Sequence, residues 1–258
     1  MEATPRTALV TGASGGIGAE ICRALARSGT RVIATARRPE ACESLLEELL
    51  VLSPGSRTVA LDVTDPASVA EALAQVGPVD WVVNNAGWVQ TAPIDRADEA
   101  HYADHLEVNF HGARRVLEVA LAGLKERGGG VLQIASSASL QGYAYVTAYT
   151  AAKHALLGYS RSAALELTRS GVSVNVICPH YVDSPMTDAN VSAMQSKTGK
   201  SEEELRAFLA AQNPGGVLVT PQEVADAAVE LLNSRVTGRV LELVGGASNT
   251  IEQGWELE

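Results

Sequence analysis

The sequence predicts a doubly wound α/β fold of about seven parallel strands with helices on both faces. Short apolar runs rich in Val, Ile and Thr alternate with longer helix-prone segments along most of the chain. Such alternation is typical of a parallel sheet whose strands are joined by helical crossovers. A glycine-rich turn directly follows the first apolar run, and a last run is predicted over Arg239–Val244.

Length and composition favour one domain over residues 1–258, because no Pro- or Ser-rich linker and no run of charge divides the chain. Of its 258 residues, 46% are hydrophobic and 19% are charged, which allows a sizeable core. The net charge of −10, without a block of basic residues, argues against nucleic acid or an anionic membrane as a partner.

The three cysteines, Cys22, Cys42 and Cys178, are scattered and have no metal-ligand spacing. We therefore expect reduced thiols and no metal site. The chain enters an apolar run almost at once, without a signal-peptide pattern, and no apolar run is long enough to span a membrane. These features predict a soluble, cytoplasmic protein.

The glycine-rich turn reads GASGGIG from Gly12 to Gly18, between a strand at Thr7–Thr11 and an amphipathic helix. Glycine tolerates positive φ and lets backbone N–H groups approach a pyrophosphate at a helix N-terminus. No Lys follows Gly18, which disfavours a nucleoside-triphosphate loop of the Walker type. The alternative is an ordinary glycine-rich turn.

The second predicted strand, Arg31–Ala36, ends in Arg37 and Arg38. At this point of a dinucleotide-binding sheet an acidic residue would bind a free ribose 2′-hydroxyl, and a basic residue would accept a 2′-phosphate. The two arginines therefore predict NADP(H), although paired arginines can also be plain surface charge. After the third strand, Asp62 could accept from an adenine amine or cap the next helix, a role that Asp65 fits better.

Two asparagine positions follow. A strand at Val79–Val83 leads into Asn84–Gly87, where small residues allow close approach of a flat ligand and the amides can tie strand ends together. Asn109 lies at the start of a helical run to Arg127, where Asn is a mediocre helix former. Its amide either binds something in the site or serves as a helix N-cap.

Tyr149 and Lys153 lie four residues apart in an Ala-rich helical segment, so their side chains share one face. An ammonium at about 6 Å in an effective dielectric of ~20 would stabilise phenolate by about 3 kcal/mol and lower the Tyr149 pKa by about two units. The phenol could then protonate an alkoxide near neutral pH. Ser136 follows a buried strand at Val131–Ala135, at the strand end where ligands of such sheets bind. A Tyr-x-x-x-Lys pair by itself is weak evidence, because helix-face pairs are usually surface residues.

A polar, helix-prone segment at Thr187–Gln212 interrupts the alternation after the sixth strand, Val172–Cys178. Insertions at this place commonly form a substrate lid, here around residues 185–213. A capping-box pattern at Thr220–Glu223 begins another helix.

Together, TGASGGIG at Thr11–Gly18, NNAG at Asn84–Gly87, Asn109, Ser136 and YTAAK at Tyr149–Lys153 resemble the short-chain dehydrogenase/reductase family, and the likeness covers essentially the whole chain. The resemblance implies a Rossmann-type fold that binds a nicotinamide dinucleotide. It implies that Tyr149 is the general acid/base and that Lys153 holds the nicotinamide ribose. It also implies that Ser136 orients the substrate carbonyl and that Asn109 holds a water in a proton relay.

For NADP(H), the resemblance and the strand-end arginines imply contacts from Thr11, Gly12, Ser14, Ile17, Gly18, Arg37, Arg38, Asp62, Val63, Asn84, Ala86, Gly87, Tyr149, Lys153, Pro179, Tyr181, Val182 and Ser184. One departure concerns His180, which follows Pro179 where the family commonly has Gly. Beside Ser136 and Tyr149 it is predicted to bind substrate, or else it points to solvent.

The expected activity is the NADPH-dependent reduction of a ketone of the β-ketoacyl or polyketide type, free or bound to a carrier or CoA. The alternatives are an NAD(P)-dependent hydroxysteroid or hydroxyacyl dehydrogenase and a non-catalytic dinucleotide sensor. The family resemblance also implies a homotetramer, or failing that a dimer, through the helices Asn109–Arg127 and Thr147–Thr168.

Overall fold

The computed structural model describes residues 5–257. The strands in this part of the chain are β1 Thr7–Thr11, β2 Arg31–Ala36, β3 Arg57–Ala60, β4 Trp81–Asn84, β5 Gly130–Ile134, β6 Ser173–Pro179, β7 Val236–Thr237, β8 Val240–Leu243, β9 Ser248–Glu252 and β10 Trp255–Glu256. The helices are α1 Gly16–Arg27, α2 Glu43–Leu52, α3 Pro66–Val76, α4 Glu99–Leu106, α5 Gly112–Arg127, α6 Thr147–Leu167, α7 Pro185–Thr198, α8 Glu202–Ala210 and α9 Pro221–Asn233.

The main sheet has the order β3-β2-β1-β4-β5-β6-β8-β9. Its first seven strands are parallel, which confirms the predicted fold class. Two features were not predicted from the sequence: β9, which pairs antiparallel with β8, and the two-residue pairing of β10 with β7. All but the last residue of β9 are exposed, so it lacks the apolar pattern that identifies the other strands.

The strands of the sheet bury both faces, because helices cover each side. Ala8 and Val10 pack in one core with residues of α1 and α9, whereas Leu9 between them packs in a second core with residues of α3 and α5. This alternation has the period of two expected of a strand. It explains why β1 appears in the sequence as a continuous apolar run.

Helix ends follow the predicted capping chemistry. The Asp65 carboxylate accepts a hydrogen bond from Ala67 N at 2.9 Å at the start of α3. Thr220 and Glu223 form a reciprocal capping box at α9. Asn109, in contrast, is not an N-cap, because it lies in a π-helical turn, Glu107–His111, that joins α4 to α5 without a break.

The segment after β6 folds as α7 and α8, which pack together around Val191, Leu205 and Leu209. The chain before α7 is held to the segment before α9 by an isolated parallel bridge between Val182 and Val219 and by the hydrogen bond from Asp183 N to Val219 O. Within residues 5–257, no helix combines the length and apolar character that crossing a membrane requires.

Candidate active site

A cavity of about 850 Å³ lies at the carboxyl ends of the parallel strands. Its volume falls in the range of ligand and cofactor pockets, and its position is where open α/β sheets bind ligands. The β1–α1 turn lines one end, the ends of β2, β3 and β4 line the middle, and the end of β5 with α6 and the start of α7 complete it.

The glycine turn is shaped by close backbone contacts. Gly12 has φ +66°, and a Cβ there would lie 2.9 Å from Ala86 Cα. The Asn85 amide donates to the carbonyls of Thr11 and Gly12 at 3.0 and 3.1 Å. A Cβ on Gly18 would come within 2.3 Å of Gly12 O. The turn therefore requires glycine where β1, α1 and the segment after β4 meet.

The N-terminus of α1 opens into the cavity. Its N-cap, Gly15, offers no side-chain hydrogen bond, and the first turn holds no acidic residue. Gly15, Gly16 and Ile17 all line the cavity. Unbonded N–H groups and the positive end of the helix dipole favour an anion here. These residues fit the pyrophosphate of a dinucleotide.

The two arginines that follow β2 differ in their position relative to the cavity. Ala36 is buried and lines the cavity together with the exposed Arg37, whereas Arg38 does not line it. In the next loop the Asp62 carboxylate accepts hydrogen bonds from the N–H and the hydroxyl of Thr64 at 2.9 and 2.7 Å. Asp62 thus closes its own turn beside the cavity and does not cap α3.

Tyr149 and Lys153 lie at the other end of the cavity, on one face of α6. Lys153 is buried, and its Nζ donates to Ile134 O at 3.0 Å and lies 5.7 Å from the centroid of the Tyr149 ring. Ser136 lies two residues after the end of β5, and its hydroxyl accepts from Ala138 N at 3.1 Å. The long helix α6 and the end of β5 therefore bring together the three side chains that the motif predicted.

The pKa of Tyr149 differs from the expectation. Burial raises the pKa of Tyr149 to about 12, with nearby Cys178 and Tyr181 acting in the same direction and the Ser136 hydroxyl acting against it. Burial also lowers the pKa of Lys153 to about 8. The spacing of Tyr149 and Lys153 predicted a lowered tyrosine pKa from the lysine charge alone, without the desolvation of both groups.

Asn109 uses its whole amide to hold the segment after β4. Its Nδ2 donates to Trp88 O at 2.8 Å and to His105 O at 3.1 Å, and its Oδ1 accepts from Trp88 N at 3.1 Å. Trp88 lines the cavity and stacks on His105 at 4.4 Å between ring centroids. The sequence analysis missed Trp88, for which the only signal was its place directly after Gly87.

The predicted cofactor residues divide into two groups. Those that line the cavity are Gly12, Ser14, Ile17, Arg37, Asp62, Val63, Ala86, Gly87, Tyr149, Lys153 and Ser184. Those that do not are Thr11, Gly18, Arg38, Asn84, Pro179, Tyr181 and Val182. Thr11, in the second group, supports the backbone beside the cavity, because its hydroxyl accepts from Asn85 N and Ala86 N, both at 3.0 Å. Further lining residues that the sequence analysis missed include Gly16, Thr64, Asn85 and Met186.

His180 lies beside this end of the site with a side chain that is only 2% exposed. Its Nε2 is 2.9 Å from a Glu242 carboxylate oxygen, and its Nδ1 is 3.5 Å from the Tyr143 hydroxyl. The ring does not point to solvent, which was the alternative to substrate binding. In the part of the chain that the structure describes, no three His, Cys, Asp or Glu side chains are grouped as a metal site would need.

The sequence is similar over nearly its whole length to those of two curated proteins. The chain is 33% identical over 249 residues to 3-oxoacyl-[acyl-carrier-protein] reductase FabG of Escherichia coli, with 93% of this chain and 96% of the relative covered. It is 30% identical over 254 residues to D-beta-hydroxybutyrate dehydrogenase of Rhizobium meliloti, with 93% and 98% covered.

Among solved structures, a variant of actinorhodin polyketide ketoreductase with NADPH matches with a TM-score of 0.86. The two sequences are 34% identical, and the match covers 94% of this chain and 97% of that one. The family model described as "short chain dehydrogenase" matches residues 6–195, which include the glycine turn, Asn109, Ser136, Tyr149 and Lys153. The chain therefore belongs to the short-chain dehydrogenase family.

Proposed function

We propose that this protein is an NADPH-dependent ketoreductase that reduces a ketone to a secondary alcohol. The observation that carries the proposal is the cavity itself, with buried Tyr149 and Lys153 at one end and an uncapped helix N-terminus at the other. When bound, a nicotinamide dinucleotide would supply the hydride at the tyrosine end.

Tyr149 is the proposed proton donor. Burial raises its pKa to about 12, so the hydroxyl stays protonated across the neutral range. An alkoxide formed from a ketone is a stronger base than a phenolate, and proton transfer from Tyr149 to it is therefore downhill. In alcohol oxidation the same oxygen of Tyr149 would accept the proton, so the raised pKa predicts that oxidation needs a higher pH than reduction.

The neighbouring residues have positioning and binding roles in this proposal. Ser136 would hydrogen-bond the substrate oxygen and orient it toward Tyr149. Lys153, fixed by its bond to Ile134 O, would hold the nicotinamide ribose. The side-chain amide of Asn109 already makes hydrogen bonds with Trp88 and His105. In a proton relay to Lys153, the backbone of Asn109 would therefore take part instead of its side chain.

The preference for NADPH is inferred from the end of β2. Ala36 leaves no carboxylate to repel a 2′-phosphate, and Arg37 stands at the cavity wall to pair with it. A guanidinium binds phosphate through directed, charge-assisted hydrogen bonds. Arg38 lies one residue farther and would add positive charge. The NADPH in the actinorhodin polyketide ketoreductase structure supports this choice.

The proposed substrate is a β-ketoacyl or polyketide-type ketone, free or bound to a carrier or CoA. The likeness to FabG of Escherichia coli and to actinorhodin polyketide ketoreductase supports it. A hydroxyacyl dehydrogenase is the second candidate, favoured by the likeness to the Rhizobium meliloti enzyme. The two candidates differ in working direction, which is measurable, and the dehydrogenase could use either NAD(H) or NADP(H).

We further infer that the chain works as one cytoplasmic domain with α7 and α8 as its substrate lid, and that it forms a homotetramer. Val119 on α5 and Leu165 on α6 are 45% and 67% exposed and offer apolar surface for contacts between subunits. Light scattering at micromolar concentration should therefore give the mass of a tetramer. A monomer alone would contradict this inference.

A turnover screen tests the function. Purified protein is given β-ketoacyl thioesters, cyclic ketones and ketosteroids with NADPH or NADH, and the matching alcohols with NADP⁺ or NAD⁺, while cofactor absorbance is followed. We expect the highest kcat/KM for a β-ketoacyl or polyketide-type ketone with NADPH. Faster alcohol oxidation with NAD⁺ would favour the dehydrogenase, and dinucleotide binding without any turnover would favour a sensor. Tyr149→Phe, purified in parallel, controls for contaminating reductases.

A further inference from the structure

A buried polar cluster lies outside the mechanism described above. It consists of Tyr143, His180 and Glu242, and we refer to it as the His180 cluster. These residues come from three separate parts of the chain: the loop before α6, the end of β6, and β8. The His180 side chain is 2% exposed and that of Glu242 is 17% exposed.

The hydrogen bonds of the cluster run in one line. Nε2 of His180 donates to Oε1 of Glu242 at 2.9 Å, and the other carboxylate oxygen accepts from the Asn249 amide at 3.0 Å. On the opposite side, Nδ1 of His180 faces the Tyr143 hydroxyl at 3.5 Å. That hydroxyl donates to Ser137 Oγ at 2.8 Å and accepts from the Gln141 amide at 2.7 Å.

The electrostatics agree with this direction of the bonds. Burial alone would raise the pKa of Glu242, but hydrogen bonds from Asn249 and His180 and the charge interaction with His180 keep it below its usual value. Glu242 is therefore a carboxylate that accepts from both sides. A buried imidazole fixed to a carboxylate at one nitrogen has its ring orientation set, which in turn aims the other nitrogen at Tyr143.

Strand register explains why these bonds reach the active site. Cys178 of β6 pairs in register with Glu242 of β8, so their side chains lie on the same face of the sheet. His180 lies two residues beyond Cys178 and has the same orientation. Cys178 is in turn close enough to Lys153 and Tyr149 to affect their pKa values. The cluster thus lies on the catalytic face, directly beyond the reacting residues.

The end of the line is Ser137, the neighbour of Ser136. Ser137 is buried, and its backbone carbonyl accepts from Leu140 N at 2.9 Å and from Gln141 N at 3.1 Å. The Tyr143 hydroxyl therefore closes a small loop, residues 136–143, onto the residue that follows the proposed carbonyl-orienting serine. His180 and Glu242 hold Tyr143 in the position where it can do so.

We infer that the His180 cluster positions the loop that carries Ser136, so that Tyr143, His180 and Glu242 set the turnover rate without contacting the substrate. In this role His180 is a positioning residue that acts through Tyr143. The inference rests on the proposed function of Ser136. The same contacts connect Asn249 of β9 to the neighbour of Ser136. They run through the side chains of Glu242, His180, Tyr143 and Ser137.

The test uses the full chain and separates positioning from packing. His180→Leu removes the hydrogen bond to Glu242 and the polar contact with Tyr143, His180→Gln can keep a donor toward Glu242 and a polar atom toward Tyr143, and Tyr143→Phe removes only the hydroxyl. The matched controls are Glu252→Gln on β9 and Tyr145→Phe two residues after Tyr143, since Glu252 pairs with Arg161 and the Tyr145 side chain is exposed.

We expect His180→Leu and Tyr143→Phe each to lower kcat by about tenfold, as misplacement of a reacting group does. KM for NADPH should change less than about twofold in both variants. His180→Gln should recover most of the kcat that His180→Leu loses. The double variant His180→Leu/Tyr143→Phe should be no slower than the slower of the two single variants, because both substitutions act through one loop. Additive losses, equal losses in the two controls, or an effect on NADPH instead of kcat would overturn the inference.

Hydrogen–deuterium exchange supplies a readout that needs no turnover. Backbone amides of residues 136–143 should exchange faster in His180→Leu and Tyr143→Phe than in the wild type, and remain unchanged in Glu252→Gln. Unchanged exchange in all variants would refute the positioning role. If exchange rises but the wild-type protein reduces no ketone, the proposed function fails while the structural role of the cluster stands.

Discussion

The two ends of the cavity are built by different means. At the glycine end, the β1–α1 turn presents backbone N–H groups, and its shape depends on the absence of side chains at Gly12 and Gly18. At the tyrosine end, the chemistry depends on buried side chains, above all Tyr149 and Lys153. One end therefore tolerates little added volume, whereas the other tolerates little loss of functional groups.

This difference predicts that the two ends can be damaged separately. Changes at the glycine end should weaken dinucleotide binding, because a backbone cradle serves whichever ketone is bound. Changes at the tyrosine end should lower turnover while leaving the cradle intact.

The largest effect is expected from Tyr149→Phe. Removing the proposed proton donor should lower kcat by about 10²-fold or more. Binding of NADPH, measured by fluorescence titration, should stay within about threefold of the wild type, a change of under about 0.7 kcal/mol. Near-normal turnover in this variant would exclude the mechanism, and lost cofactor binding would show that the two ends are not separable.

Lys153→Met tests the electrostatic state of the tyrosine end. Burial lowers the pKa of Lys153 to about 8, whereas that of an unfolded lysine is about 10.4. The unfolded chain therefore binds this proton more tightly than the folded chain. It follows that the buried charge opposes folding below about pH 8, and that this cost declines as the pH rises from about 8 toward ~10.4.

Relative to Lys153→Met, the wild type should thus gain about 2–3 kcal/mol of unfolding free energy between about pH 6.5 and about pH 10. Denaturant unfolding at fixed protein concentration measures the difference. Lys200→Met, which removes an exposed lysine, should show no such trend. A flat difference for Lys153→Met would mean that the lysine keeps its ordinary pKa in the folded chain.

Cofactor preference tests the middle of the cavity. Arg37→Ala should lower kcat/KM for NADPH by about tenfold or more and leave the value for NADH nearly unchanged, because charge-assisted bonds to a phosphate contribute ~1.5–3 kcal/mol. Ala36→Asp should shift preference toward NADH, since a carboxylate would face the 2′-phosphate. Steady-state constants for both cofactors decide this, with the remote Arg169→Ala as control.

A wild-type protein that used NADH as well as NADPH would show that both arginines are surface charge only. The comparison of Arg37→Ala with Arg38→Ala sharpens the assignment. Arg37 lines the cavity and Arg38 does not, so the first variant should have the larger effect.

The smallest effect is expected from Gly12→Ala. The residue has φ +66°, and the added Cβ would lie 2.9 Å from Ala86 Cα. The left-handed conformation costs roughly 1–2 kcal/mol for a non-glycine residue, and relief of the contact should distort the turn. NADPH affinity should fall by about tenfold or less, while kcat at saturating cofactor changes little.

Gly29→Ala is the matched control for this change. Gly29 has φ +81°, and no atom lies within 4 Å of the place where its Cβ would be added, so the substitution carries the conformational cost without the contact. It should lower Tm by less than Gly12→Ala does and leave NADPH affinity unaltered. Equal losses of affinity in both variants would show that general destabilisation, and not the cradle, is responsible.

The sequence predicted most of the fold because its signals are local. Strands β1 and β2 were predicted at their observed bounds, since both are continuous apolar runs flanked by turn residues. Asp65 and Thr220 marked helix starts through short-range capping. The strand β9 escaped notice because its exposed residues carry no apolar pattern, and its pairing with β8 is a matter of tertiary contact.

By itself the sequence determined which residues share an element: Tyr149 and Lys153 on one helix face, Ser136 at a strand end, and glycines where the chain must turn. Only the tertiary structure decided how far each group is from water and from groups distant in sequence. Burial raised the pKa of Tyr149, against the expectation from its spacing to Lys153, and lowered the pKa of Lys153. Similarly, His180 acquired Glu242 and Tyr143 as partners, because strand register and loop packing set contacts across 62 and 37 residues that no local pattern records.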